Sequence, residues 1–496
     1  MKILMAASEC VPFVKTGGLA DVLGALPKAL AAAGEDVRVV LPKYGEIGEA
    51  YRSQMTSVGY FYINLGWRRQ YCGIDTLTMN GITFYFIDNE YYFNRPYIYG
   101  IGGDEAERFG FFSRAVLEML PVIDFFPDVL HCHDWQTGLI PLMLRTQYDD
   151  PRYEAIRTMY TIHNLQYQGI FPIDFVEDLL TLGKEAYLDG GVEFYGQCSF
   201  MKGGINFADK ITTVSPTYSK EIQTAYYGER LDGLLRAKSE QVTGVLNGID
   251  MEEYDPENDP MIEINYTSRS PGRKKKNKTL LQAQLGLEVD ENIPMIGMIG
   301  RLADQKGLDL LERVLEDILK TGVQLVILGK GDDRYVRMLN WAQWKYEGRV
   351  AACIEMNNKL AHQIYASSDL FLMPSKFEPC GLSQLIALRY GTLPIVRETG
   401  GLRDTVFAYN EYTGEGNGFS FTNYNAHDML HTIELAVKVY REDNKAFMRL
   451  VRRAMNGQYG WDKSAQVYMD VYKSLVPEVE APVEAAEEPA AEDEDE

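Results

Sequence analysis

Short apolar runs rich in β-branched residues alternate along the chain with longer segments whose apolar positions recur every three or four residues. In the first half, KILMAAS (residues 2–8), DVRVVLP, GITFYFID, DVLHCH, TMYTIH, KITTVS and QVTGVL read as strands. FFSRAVLEML, TGLIPLMLRT and SPTYSKEIQTAY lie between several of them and read as helices. The second half repeats the theme with strands MIGMIG, VQLVILG, VAACIEM, DLFLMP and TLPIVR. Its helices include LDLLERVLEDILK, DRYVRMLNWAQWKY, NKLAHQIYASS and LSQLIALRY. Strands that are apolar at nearly every position are buried on both faces. Their alternation with helices predicts parallel sheets covered on both sides. The pattern thus predicts an α/β chain of two Rossmann-like doubly wound domains, residues 1–246 and 247–458. They meet where turn residues cluster in NGIDMEEYDPENDP. A last helix, in residues 459–476, follows the break NGQYG and is expected to pack back on the first domain.

Length agrees with this division, since 496 residues exceed what one core organises. The net charge of −22 argues against a nucleic-acid partner. Residues 477–496 hold ten acidic and no basic side chains, so the preceding 476 residues carry −12. This Pro/Ala/Glu tail cannot bury a core and is expected to be disordered. The other charge run, GRKKKNK (residues 272–278), reads as a solvated loop before the helix TLLQAQLGL. A phosphate or polysaccharide contact is the second reading. No apolar run is long enough for a bilayer, and the apolar residues after Lys2 are too quickly interrupted for a signal-peptide core. Six dispersed cysteines without CxxC spacing point to reduced thiols and a cytoplasmic protein.

Candidate chemistry lies where predicted strands end. FVKTGGLADVLGALPKAL (residues 13–30) places Lys15, Gly17 and Gly18 before a helix. Such a helix start offers unpaired N–H groups and a positive dipole end to an anion. An ordinary glycine loop is the alternative. Arg301 and Lys306 occupy a similar place in the second half. Two cationic helix starts facing one cleft suit a diphosphate, because ligands of open α/β sheets bind at the carboxyl ends of strands. G-x-G-x-x-G after the first strand and G-x-x-x-x-G-K-[ST] are both absent. HCHDWQTGL places Asp134 at a strand end, as either a site residue or a helix cap. His131 and His133 could share a face, but no third metal ligand is evident. TIHNLQYQG supplies His163 and Asn164. PSKFEPCGLSQL supplies Glu378, Cys380 and Gly381, with first-turn helix stabilisation as the alternative for Glu378 and simple burial for Cys380. RETGGLRDTV supplies Thr399, Gly400 and Gly401. The aromatic stretch EYYFNRPYIYG (residues 90–100) either stacks on sugar rings or packs between loops. The only D-x-D lies in the tail, so no metal or other cofactor is expected.

KTGGLADV, HCHDWQTGL, TIHNLQYQG, VLNGID, GRLADQKGLDLL, PSKFEPCGLSQL and RETGGLRDTV occur in this order and resemble the signature blocks of bacterial glycogen synthases and plant starch synthases. The resemblance implies a GT-B fold, with the catalytic cleft between two Rossmann-like domains. It implies retaining transfer of glucose from ADP-glucose to the 4-hydroxyl at the non-reducing end of an α-1,4-glucan. On that reading Lys15, Gly17, Gly18 and the Thr399-Gly400-Gly401 turn approach the donor. Arg301 and Lys306 bind its diphosphate. Glu378 holds the glucosyl hydroxyls beside Cys380 and Gly381. His163, Asn164 and Asn247 line the sugar pocket, and Asp134 faces the acceptor. Gln136 stands where many members carry histidine, so no acid–base role follows there. Ile386, eight residues after Glu378, offers no second carboxylate for a covalent double displacement. An epimerase on the same fold and a catalytically silent glucan-binding protein are the competing functions.

Because residues 477–496 lie outside every block, their deletion is expected to leave kcat and melting temperature nearly unchanged. A large drop in either, measured on the truncated protein, would mean that the tail docks.

Overall fold

The structure is a computed structural model that describes residues 1–100, 103–181 and 190–476. The acidic tail lies outside the described residues. Two sheets carry the architecture. The first contains β1 (Lys2–Ala6), β2 (Asp36–Pro42), β3 (Thr56–Leu65), β4 (Arg68–Met79), β5 (Ile82–Asp88), β6 (Val129–His133) and β7 (Arg157–Ile162). A small antiparallel sheet of β8 (Ile170–Pro172), β9 (Glu193–Phe194) and β10 (Gln197–Ser199) stands apart. The chain then returns to the first sheet with β11 (Lys210–Thr213) and β12 (Val242–Gly244), completing the order β12-β11-β7-β6-β1-β2-β5-β4-β3. The second sheet contains β13 (Met295–Ile299), β14 (Gln324–Leu328), β15 (Val350–Cys353), β16 (Leu370–Met373), β17 (Leu393–Arg397) and β18 (Phe419–Phe421). Its order is β15-β14-β13-β16-β17-β18, parallel throughout.

In each sheet the strand order reverses beside the first strand, between β1 and β6 and between β13 and β16. That reversal separates the neighbouring loops and opens a crevice at the strands' carboxyl ends. The residues following β1, β6, β13 and β16 are therefore the ones topology sends to a site.

Each sheet has its own apolar core, the first built from residues between Ile3 and Val245 joined by Cys380 and residues between Trp461 and Tyr472, the second from residues between Ile249 and Met455. The helix Asp462–Leu475 closes the chain on the first core, burying Tyr468 and Tyr472 there. The Tyr472 hydroxyl lies 2.8 Å from Nδ1 of His131.

Three features depart from the pattern reading. The first sheet ends in an antiparallel hairpin, β3–β4, whose outward side chains alternate with buried ones as expected of a one-sided strand. Its turn needs Gly66, at φ 61°, because a Cβ there would sit 1.9 Å from the Asp178 carbonyl oxygen. The segment SPTYSKEIQTAY is helical only over Pro216–Glu221. Beyond it Gly228 packs where a Cβ would meet the carbonyls of Thr224 and Ile222 at 2.7 and 2.8 Å. The basic run is not a solvated loop. Lys274 opens the helix Lys274–Gln284, and its buried Nζ donates to the Tyr365 carbonyl and to Thr392 Oγ1, at 2.8 and 2.6 Å. Lys278 lies one turn on, buried 2.6 Å from the Asp369 carboxylate. Helical spacing turned these two of the four lysines inward, where fixed acceptors replace water.

All six cysteines are free thiols. Among the described residues no helix is long and apolar enough to cross a membrane.

Removing one member of a buried pair leaves the other charge uncompensated, at a cost of about 3–5 kcal/mol. Lys278→Met is expected to lose stability in that range, read by denaturant unfolding, and Asp369→Asn in the same chain should recover part of it. A loss below about 1 kcal/mol for Lys278→Met would show that the pair does not hold this helix to the second sheet.

Candidate active site

The loop after β1 is organised by Glu9, a buried carboxylate that the sequence reading passed over. It accepts from the Thr16 N–H, from the Thr16 hydroxyl at 2.6 Å and from the Gly17 N–H at 3.1 Å. Tyr99, from the aromatic stretch, donates its hydroxyl to the same carboxylate at 2.6 Å. That stretch therefore serves the loop at least in part as packing and anchoring. The helix Gly18–Ala32 then begins with Gly18, whose N–H has no protein partner among the described residues. Lys15 is largely exposed and pairs with Asp21 at 2.7 Å.

At the end of β6, Asp134 adopts φ 56° and ψ −178°. A non-glycine residue there stores on the order of 1–3 kcal/mol of strain. The strain turns the carboxylate toward the next loop, where it accepts from the His163 N–H at 2.7 Å and the Asn164 N–H at 3.4 Å. Burial pushes the Asp134 carboxyl up to about 7, against the pull of these two bonds. Asn164 Oδ1 accepts from the Gln166 N–H at 3.0 Å. The His163 ring packs on His133, with Nε2 3.0 Å from Nδ1 of His133, and burial drives its pKa down to about 3. His131 and His133 share one face of β6, rings 4.0 Å apart, and burial holds both well below the usual histidine range. All three imidazoles are thus neutral near pH 7.

Across the crevice, Arg301 follows β13 and shares a hydrogen bond of 2.9 Å with Gln305. Its guanidinium lies 5.9 Å from the ring centre of Tyr167, which belongs to the loop after β7. Lys306 and Glu378 form an ion pair at 2.7 Å. Glu378 is buried and also accepts from the Ser375 hydroxyl at 2.9 Å. Burial raises the Cys380 thiol to about 12, so it is no thiolate nucleophile at neutral pH. Gly381 holds φ 71°, and its carbonyl accepts from Gln384 at 2.8 Å. Asn247 is buried, with its Oδ1 lacking a partner among the described residues.

The Thr399-Gly400-Gly401 turn is packed hard on this loop. A Cβ at Gly400 would fall 1.9 Å from the Glu378 carbonyl, and one at Gly401 would fall 2.1 Å from the Cys380 carbonyl. Its N–H groups are already used. Gly400 donates to both oxygens of Glu221 at 3.1 Å, and Gly401 donates to the carbonyls of Glu378 and Pro379 at 3.2 Å. Thr399 adds its hydroxyl to Glu221 at 3.0 Å.

Glu221 belongs to the first half, and the second half returns the exchange. Asp404 accepts from the Thr217 N–H at 2.8 Å and the Thr217 hydroxyl at 2.6 Å. Each of two short helices therefore sends a carboxylate to the other's N-terminus. Ser215 also donates to the Pro379 carbonyl at 2.6 Å, and Arg397 to the Tyr227 hydroxyl at 3.0 Å. Nearby, a Cβ at Gly18 would lie 3.7 Å from Leu382 Cδ1, so the helix start after β1 lies close to the loop after β16.

The structure thus collects Gly18, Cys380, Gly381, Glu378, Lys306 and Asn247 around the junction, with Arg301 facing the His163–Asn164 loop through Tyr167. Lys15 stays at the rim, and Gly17, Gly400 and Gly401 turn their N–H groups into the protein. Glu9, Glu221, Asp404 and Arg397 were not singled out from sequence. Their signal was weak, since each is a lone polar residue in or beside a helix or strand, and all but Glu9, whose N–H donors Thr16 and Gly17 lie seven and eight residues on, are engaged mainly by groups distant in the chain.

Residues 2–237 match the family model described as the starch synthase catalytic domain, and residues 282–450 match that of glycosyl transferases group 1. The chain is 54% identical over 477 residues to a glycogen synthase of Desulforamulus reducens, covering 96% of this chain and 99% of that one. It is also 54% identical over 477 residues to a glycogen synthase of Geobacillus stearothermophilus, covering 96% and 98%. Among solved structures it superposes with TM-score 0.90, at 33% identity, on the catalytic domain of starch synthase IV from Arabidopsis thaliana, solved with ADP and acarbose, covering 96% of this chain and 99% of that one. Sucrose-phosphate synthase from Thermosynechococcus elongatus, at 17% identity, TM-score 0.60 and coverage of 95% and 98%, shares the fold alone. The two facing sheets are the GT-B architecture, and the chain belongs to the glycogen and starch synthase family of glycosyltransferases.

Proposed function

We propose that this protein transfers glucose, with retention, from ADP-glucose to the 4-hydroxyl at the non-reducing end of an α-1,4-glucan and releases ADP. The observation that carries the reading is the Lys306–Glu378 pair at the carboxyl end of the second sheet, facing the loop after β1. A cation suited to phosphate and a carboxylate suited to sugar hydroxyls stand 2.7 Å apart, where the adjoining phosphate and sugar of a nucleotide sugar would need them. In this structure they neutralise one another. On donor binding Lys306 turns to the diphosphate with Arg301, and Glu378 to the glucosyl hydroxyls. Lys15 and Gly18 meet the donor from the first domain, and Asn247 offers its unpartnered Oδ1 to the sugar. His163 and Asn164 line the same pocket, and Asp134 fixes their loop on the acceptor side. Arg301 and Lys306 offset the negative charge that grows on the departing ADP, as fixed cations aimed at a leaving group do.

The same reading assigns residues 1–246 to the acceptor-side domain, 247–458 to the nucleotide-sugar domain and 459–476 to a helix returning to the first. The unpaired thiols suit a cytoplasmic protein acting on stored glucan.

Incubation with ADP-glucose, UDP-glucose and short maltodextrins tests the reading. Chain extension with a marked preference for ADP-glucose is expected. Donor turnover without an acceptor, or equal kcat/KM for the two donors, would contradict it. Charge on the leaving phosphate develops toward the transition state, so Arg301→Ala and Lys306→Ala should act on kcat, each by about 10²–10³-fold. Lys15→Ala, losing an exposed contact made equally in both states, should raise KM instead. Near-normal kcat in both second-domain variants would refute the cation clamp.

A further inference from the structure

The buried histidine cluster behind the cleft contains an asymmetry that bears on His163. His131 uses both ring nitrogens, Nδ1 with the Tyr472 hydroxyl at 2.8 Å and Nε2 with Thr161 Oγ1 at 2.6 Å. Thr161 Oγ1 continues to Thr212 Oγ1 at 2.5 Å. His133 uses only one. Its Nδ1 meets Nε2 of His163 at 3.0 Å, while its Nε2 is buried without a partner among the described residues.

A neutral imidazole carries one N–H and one bare nitrogen. Two arrangements satisfy the contact between the rings. In one, His163 donates from Nε2, and the proton of His133 sits on Nε2, buried with no acceptor. In the other, His133 donates from Nδ1, and the orphaned atom is a bare nitrogen. Buried donors without acceptors are the rarer defect in folded proteins. We infer that His133 donates from Nδ1 to Nε2 of His163 and so locks His163 in the Nδ1–H tautomer, the only ring proton left for the cleft.

The inference is supported by how firmly the two rings are placed. His163 is held at its backbone N–H by Asp134, and its ring has His133 as its partner. His133 stacks on His131, and His131 is clamped by Thr161 and the carboxyl-terminal helix. Burial keeps the rings neutral, which excludes a doubly protonated ring donating to both sides. The consequence for the cleft is chemical. An Nδ1–H donates to a hydroxyl oxygen of a bound sugar, whereas the other tautomer would present a lone pair and demand a hydroxyl proton. His133 is thus a positioning residue for His163. Its effect on turnover, unlike the tautomer itself, rests on the proposed placement of His163 in the sugar pocket.

The chain has six histidines, so ring-labelled histidine gives a countable NMR spectrum, with His163 assigned by the signal lost in His163→Asn. In the free wild-type protein near pH 7.5, about one unit above the unperturbed histidine pKa, His163 is expected as the Nδ1–H tautomer. His133→Asp, whose carboxylate can only accept, should put a proton on Nε2 of His163. His133→Asn, whose side-chain N–H lies near the position of Nδ1–H, should keep the Nδ1–H form. Turnover should fall about 10- to 100-fold in the Asp variant, the size seen for groups that orient metal-bound histidines, and largely recover in the Asn variant. Nε2–H in the wild type, or a bare Nε2 in a folded Asp variant, overturns the inference. The wild-type spectrum decides even where a variant fails to fold. A tautomer that changes with kcat intact supports the relay and instead removes His163 from the sugar pocket.

Discussion

Backbone N–H groups at loop and helix starts beside the mouth of a parallel sheet have no ladder partner, and once buried they must find acceptors. In this protein carboxylates satisfy them. Glu9 takes the N–H groups of Thr16 and Gly17, Asp134 takes those of His163 and Asn164, Glu221 takes that of Gly400 and Asp404 takes that of Thr217. Two of these carboxylates, Glu9 and Asp134, stay within the first sheet's loops and shape its side of the cleft. The other two cross between the halves in opposite directions. The requirement that shapes each loop also fixes how the loops face one another.

This places unlike chemistry close together. Carboxylates already bonded to N–H groups are largely committed to structure. Glu378 differs, because its partners are side chains, Lys306 and Ser375, and side chains can turn. The Lys306–Glu378 pair is therefore the part of the junction that a ligand can open without breaking backbone bonds. Arg301 is free to follow, since its partner Gln305 is a neutral neighbour on the same loop. The strained Asp134 belongs to the opposite category. Its positive φ and buried carboxyl are tolerated because the bonds to His163 and Asn164 fix the loop that faces Arg301 through Tyr167.

The alternation of apolar strands and amphipathic helices was enough to read the parallel strands of both sheets except the three-residue edge strand β18, because burial on two faces leaves a continuous hydrophobic signal. The β3–β4 hairpin escaped that reading. Its outer face is polar and aromatic, so residues such as Tyr60 and Tyr62 interrupt the apolar run. The lysines of the helix Lys274–Gln284 escaped it for the reverse reason, since a charged side chain carries no mark of the buried acceptor awaiting it. At the candidate site, residues in contiguous blocks stood out: Lys306, Glu378, His163 and Asp134 each follow a strand at a recognisable loop. Glu9, Glu221 and Asp404 did not, because their meaning depends on partners up to 187 residues away. The N–H groups of Gly17 and Gly400 show the limit of motif reading. A glycine-rich helix start resembles an open anion site until the acceptor that already occupies it is known.

The most direct test of the account is a crystal structure of the full chain soaked or grown with ADP. The account predicts the phosphates between the loop after β1 and the loop after β13, within hydrogen-bonding distance of Arg301 and Lys306. Lys306 would have left its 2.7 Å pairing with Glu378 or shared it with phosphate, while the Glu221 and Asp404 bonds persist. ADP bound elsewhere, or bound here with the Lys306–Glu378 pair intact and both cations turned away, would contradict it.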